Sequence, residues 1–417
     1  MLRYYFQTLL LFVFTIASAQ VENEVVPPYN IKTVSFVQNN QNVVPIFELG
    51  VAFQLQFDDL FGNDASYFYE IVHCDYNWNP SDIQKRDYLL GFDNQRIQES
   101  SNSFNSLQIY THYRLAFPNS NTQIKISGNY MLKILNEDKE VVFSRKFMIY
   151  EDAVTVPIQI KRARTVTNLD SKHNLEFTVK SNVINFQNPL KNIKTVLLQN
   201  GKLPTAISNV APQYTIGNDL IYKYDTPTQF WAGNEFLFFD NKEIRVASNT
   251  ISRVDSQKDI YSSYLFTNEA RVNANYYNNQ DINGNFVTRR LFSENSDLEA
   301  DYAWVYFSLS APLFRSSDGA IYVTGMFNNY AFTTENKMEY NPEKGLYEKA
   351  ILIKQGFTNF EYLAVKPNGS IDSENAIDGN YFQTENEYTV LVYYKEDTDR
   401  FTRIIGKGTA SSLNIIN

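Results

Sequence analysis

Glu70–Asn119 reads EIVHCDYNWNPSDIQKRDYLLGFDNQRIQESSNSFNSLQIYTHYRLAFPN, and its punctuation decides the fold. A Trp78-Asn79-Pro80 turn and a Gly91-Phe92-Asp93 turn separate two aromatic-rich stretches that alternate with period two, the spacing of a strand rather than a helix. Upstream, Tyr67, Tyr69 and Ile71 alternate with Phe68, Glu70 and Val72. Downstream, Tyr110, His112 and Arg114 fall on one face and Thr111 and Tyr113 on the other, with the charge of Arg114 marking its face as the expected wet one. Between the turns, Pro80–Leu90 has the pattern of one short helical turn capped by Ser81 or Asp82.

Outward from this block the same period recurs. Val51, Phe53, Leu55 and Phe57 alternate with Ala52, Gln54 and Gln56; Ile124–Ile126 and Tyr130–Ile134 flank Gly128-Asn129; Phe143–Tyr150 closes a first unit. Past a boundary at Glu151–Val156, Ile158 to Ile160, Leu175 to Val179 and Thr195 to Leu198 start a second unit. It includes Phe230-Trp231 and an apolar run, Glu235–Phe239, expected to be buried on both faces. The Asn-rich stretch Ala274–Asn285 is expected to form a long hairpin around Asn283-Gly284, and Trp304–Phe307 to be the last strand of that unit. Aromatics make up 15% of the chain, a bias toward strands. The expectation is an all-β, multi-domain protein of about three antiparallel immunoglobulin-like β-sandwich units: 20–150, 151–312 with long hairpins, and 313–417 with a tail.

Residues 1–19 have the layout of a signal peptide: Arg3, an apolar run from Tyr4 to Ile16, and a small-residue cleavage site at Ala17-Ser18-Ala19. The run falls short of the roughly 20 residues a spanning helix needs. Its removal takes away one Arg and no acid, moving the net charge from -9 to -10 over the remaining 398 of 417 residues. An acidic chain is a poor ligand for phosphate backbones, so nucleic acid is not an expected partner. One cysteine, Cys74, permits no intrachain disulfide. A soluble protein, monomeric when free and without direct membrane insertion, is expected.

Catalytic patterns fail on geometry. His73 and Cys74 are strand neighbours pointing to opposite faces, so one cannot deprotonate the other. Glu70 and His73 have a helical ligand spacing on a strand, and His112 and His173 stand alone. Asp58-Asp59 ends a strand, where carboxylates accept turn amides. Asp281–Asn285 lacks the distal Glu of a calcium loop. No catalytic residue, cofactor or metal site is expected, and no enzyme. Tyr76 and Trp78, on the turn, and Arg114 are the candidate partner-binding residues, aromatic and Arg side chains being the usual interface anchors. The competing expectation for the turn aromatics is a lid over the local core.

His73-Cys74-Asp75, Trp78 with Pro80 and Ser81, Tyr88, Gly91-Phe92-Asp93-Asn94, Arg96-Ile97, Ser103-Phe104-Asn105, Leu107, Tyr110 through Arg114 and Phe117-Pro118-Asn119 stand together in order. In this the block resembles the plug protein family of the Bacteroidetes type IX secretion system. The resemblance implies a non-enzymatic periplasmic protein that occludes the periplasmic end of an idle outer-membrane translocon barrel, called SprA or Sov; it identifies no contact residue. A second stretch, Ile321–Tyr330 with Gly345–Glu348, Phe360–Tyr362 and Pro367–Gly369, resembles the early-set immunoglobulin-like sandwich of glycogen-binding modules. Tyr330 stands there in place of the usual sugar-stacking Trp. That implies the alternative, a periplasmic or surface glycan-binding protein using the C-terminal sandwich.

Overall fold

The computed structural model describes residues 21–279 and 281–415; the expected signal peptide lies outside them. Alternation becomes architecture at once. In Phe53–Asp59 the side chains of Phe53, Leu55 and Phe57 turn into a core shared with Tyr69, Tyr113, Phe117, Tyr130, Phe143 and Phe147, each 6% exposed or less. Two five-stranded sheets enclose that core. One runs 41–42, 31–38, 53–59, 111–117, 99–102; the other 46–48, 141–150, 128–135, 68–74, 95–96. The pairs are antiparallel except Ile46–Glu48 against Met148–Tyr150, which is parallel. Face-to-face packing follows because a strand with one apolar side is stable only when that side is covered. The expected helical turn is present at Lys85–Tyr88, with Gln84, not Ser81 or Asp82, at its N-terminal end.

The second core draws on two distant stretches. Ile158–Arg162, Lys172–Val179, Tyr214–Ile216, Asp219–Tyr222 and Gln229–Trp231 form one sheet; the facing sheet joins Ile193–Gln199 to Glu387–Tyr394 and Arg403–Ser411. Its cluster runs from Val154 to Phe230 and resumes at Tyr388. A third core, from Phe239 to Ile377, lies between a six-stranded sheet and a sheet centred on Gly356–Val365. Trp304–Phe307 lies within Tyr302–Ser310, paired with Leu346–Lys354 in the middle of the third core's sheet. On this basis we propose a partition that replaces 151–312 and 313–417, with the third unit inserted into the second. The physical reason is pairing across sequence: strands 387–411 belong beside 193–199, and no linear division can express that.

Two smaller expectations change. Glu235 and Phe236 are buried, but the strand itself is Leu237–Asp240 and only Phe239 in it is sealed off. The described residues of 274–285 form no hairpin; the turn at Asn283-Gly284 has the positive φ angles, 53° and 82°, that this pair tolerates, but Phe286–Thr288 beyond it pairs with Gly356–Thr358 instead. The fold is all-β in several immunoglobulin-like sheet domains, and no helix of the described residues is long and apolar enough to cross a membrane.

Candidate partner interface

The three candidate residues lie on unit 1 and are drawn into contacts with the rest of the chain. Asp75 organises the turn: its Oδ1 accepts the amides of Asn77 at 2.8 Å and Asn79 at 2.9 Å, which lets Trp78 adopt φ = 66°. The two aromatics then point to different neighbours. Tyr76 reaches unit 2, donating from its hydroxyl to the carbonyl of Thr195 at 3.1 Å, accepting the amide of Asn209 at 2.9 Å and meeting Tyr393 edge-on at 4.9 Å. Trp78 is half-buried against the seam of units 1 and 2, with Lys146 Nζ 4.5 Å from its ring centre. Both are packed as a lid, over an apolar seam of Ile46, Met148, Val196, Leu198, Leu391, Tyr393 and Ile404.

Arg114 lies on the opposite sheet and pairs with Asp297 of unit 3 at 2.8 Å, both groups half exposed. Its face is not open to water as expected, because unit 3 covers it. Tyr110 is buried, donating to the carbonyls of Asp297 and Ala300, and His112 is buried against Asp58. Asp58 is the residue the sequence undervalued. Its cross-strand partner is His112, whose Nδ1 lies 2.6 Å from Oδ1, and Oδ2 receives both the Lys354 ammonium and the Tyr302 hydroxyl at 2.6 Å. Lys354 also donates to the Asp297 carbonyl at 2.7 Å and lies 4.1 Å from the ring centre of Tyr110. Burial alone would raise the pKa of Asp58; the adjacent Lys354 charge and the His112 contact outweigh it and hold the carboxyl below its ordinary value. Asp59, on the other face, accepts the turn amide of Phe61 as well as Asn30 and the Tyr67 hydroxyl. The available signal was Lys354 at the end of an apolar strand, Leu346–Lys354, legible only once that strand is known to abut unit 1.

A third seam ties unit 2 to unit 3 through Lys202, whose Nζ sits 2.6 and 2.8 Å from the two carboxylate oxygens of Glu361. The ring of Tyr330 is buried beneath the same ammonium. It offers no open stacking face.

The remaining chemistry-bearing groups are kept apart. His73 bonds Ser81 and faces the carbonyl of Ser127, burial pushing its pKa down to about 4. Cys74 is fully buried, its thiol pushed up to about 12 by the same cause, and is inert toward electrophiles at neutral pH. His173 is held between the Tyr388 hydroxyl and the Phe382 carbonyl. Among the described residues no group of three His, Cys, Asp or Glu could hold a metal ion.

Residues 31–151 match the family described as the type 9 secretion system plug protein, first domain. The crystal structure of a hypothetical protein from Parabacteroides merdae ATCC 43184 is similar with a TM-score of 0.88 and 29% identity, covering 93% of this chain and 98% of that one, so the overall fold is shared. The BSP domain of a biofilm associated protein overlaps 94% of this chain and 61% of that one at 6% identity, but a TM-score of 0.16 carries no argument. No curated protein matches the chain.

Proposed function

We propose that this chain is a non-enzymatic periplasmic plug that binds and occludes the periplasmic end of the idle type IX outer-membrane translocon, the SprA or Sov barrel. The observation that carries this is the match of unit 1 to the plug family's first domain. The architecture suits the task. A channel wide enough for folded cargo leaks small solutes when empty, and three sandwiches locked by separate seams present a broad preformed surface with little ordering cost on binding. A stable seal buries at least the roughly 1,200–2,000 Å² of an ordinary specific interface. Trp78, which keeps part of its indole at the surface, remains the proposed contact among the three candidates; Tyr76 and Arg114 act first within the chain. No observation favours glycan binding.

Deleting the gene in cells that carry the translocon is expected to raise outer-membrane permeability to small dyes while the translocon stays assembled. The plug reading is refuted if purified translocon associates with this protein in no state and the deletion leaves permeability unchanged.

A further inference from the structure

Strand Val141–Tyr150 places an arginine where its pattern calls for an apolar residue. Phe143, Arg145 and Phe147 share the inward face, opposite the fully buried Leu132, and Arg145 itself is 8% exposed. Its guanidinium, with five N–H donors, makes a single hydrogen bond to the described protein, from Nη1 to the Ser144 carbonyl at 3.0 Å. It has no carboxylate partner among the described residues, although a buried charge left unpaired is costly. Burial lowers its pKa, with Glu24 the one acid opposing that. Arg145 lines a cavity of about 100 Å³ at the seam of units 1 and 3.

The other charges around that cavity are Glu24, Lys32 and Glu335, and each is already engaged. Glu24 accepts the Lys146 amide at 2.6 Å through one oxygen and the Asn329 side chain at 2.7 Å through the other. Lys32 pairs with Glu335 at 2.8 Å. Two positive and two negative groups sum to zero, so the site has no excess charge for a multiply charged ligand. It has an unsaturated planar donor and a cavity of about 100 Å³ beside it.

We propose that Arg145 forms a binding site for a single carboxylate-type monoanion, supplied either as a free small acid or as the carboxylate of a peptide end. The guanidinium fork matches two carboxylate oxygens, and Ile31, Val34 and Ile351 supply apolar walls beside it. Glu24 tunes the site by competing electrostatically for the guanidinium without bonding it.

The test is the full mature chain titrated with acetate against chloride at constant ionic strength, read by melting temperature and by ¹³C line width of labelled acetate. Wild type is expected to respond saturably. Arg145→Leu should weaken that response at least about tenfold, and Arg145→Lys several-fold, since an ammonium lacks the planar fork. Glu24→Gln should tighten it, an effect a purely structural arginine would not produce. Glycylglycine compared with its amide separates the two sources: a response to the dipeptide acid beyond that to acetate assigns the peptide end, and acetate alone assigns a free acid. Absence of saturation in wild type, or equal responses in wild type and both Arg145 variants, overturns the site.

Discussion

Replacing Asp58 by Asn removes the anion at the centre of the unit 1–unit 3 seam and leaves everything it neutralised in place. Lys354, its side chain 3% exposed, is left facing no anion, and the amide introduced by the substitution would turn a donor toward either that side chain or His112. Removing one member of a buried pair costs about 3–5 kcal/mol, because the other is stranded. Lys354→Met should cost about as much, stranding Asp58 instead. The double variant is expected to be less destabilised than the sum of the two, by on the order of 1–3 kcal/mol, since neither charge then remains alone. Urea unfolding of the four proteins at neutral pH, followed through intrinsic fluorescence and far-ultraviolet circular dichroism, gives the cycle. The pH dependence has a fixed sign: the carboxyl is held below its ordinary 3.8 in the fold, so its contribution is present above that value and is lost as pH falls through the lower, folded pKa. Wild type should therefore lose stability below about pH 4 relative to Asp58→Asn, and the curves should converge. Additive single variants, or stability profiles that stay parallel down to the acid limit, would refute this account of the seam.

Tyr76→Phe deletes the hydroxyl that joins the turn to Thr195 and Asn209 while keeping the ring against Tyr393, and should cost about 1–2 kcal/mol, with faster proteolysis at the 151–156 boundary as its local readout. Cys74 should resist iodoacetamide in the native state at neutral pH and react on unfolding, because the thiol is buried and held protonated; mass spectrometry of the labelled chain decides it.

Local pattern is legible in this sequence, and pairing between distant segments is not. The inward alternation of Phe53, Leu55 and Phe57 gives their burial directly, because a strand's two faces follow from its period. The turn at Asp75–Pro80 is equally plain. What the alternation cannot supply is a partner. Asp58 and Asp59 look equivalent in sequence, yet they point to opposite faces, one toward a unit whose Lys354 lies 296 residues further on and the other toward a sandwich rim. Tyr76 reads as a lid or as an anchor for an outside partner, and the lid it completes depends on Thr195, 119 residues away. Trp304–Phe307 reads correctly as a strand, but its antiparallel mate, Lys349–Leu352, lies beyond the boundary expected near residue 312. Arg145 stands inside an apolar strand pattern, where a single charge on the inward face was the available signal.

The three seams differ in chemistry, and that difference bears on how a plug would work. Units 1 and 2 meet largely through apolar side chains, which hold over a wide range of salt and pH, with an exposed Arg400–Asp87 pair and a few neutral hydrogen bonds at the edge. Units 1 and 3 meet through Asp58, Lys354 and Arg114, and units 2 and 3 through Lys202 and Glu361. Unit 3 is held by these ion pairs together with neutral hydrogen bonds such as Tyr110 to the Asp297 and Ala300 carbonyls, and is joined to unit 2 by two chain crossings near Gly233 and Asn380 whose groups bond one another. Loss of the charged contacts would loosen the orientation of unit 3, and a looser surface pays an ordering cost on docking. A seal that acts by occupancy rather than chemistry depends on avoiding that cost. On the proposed plug reading, the buried Asp58–Lys354 pair fixes orientation where a larger apolar patch would have supplied adhesion alone.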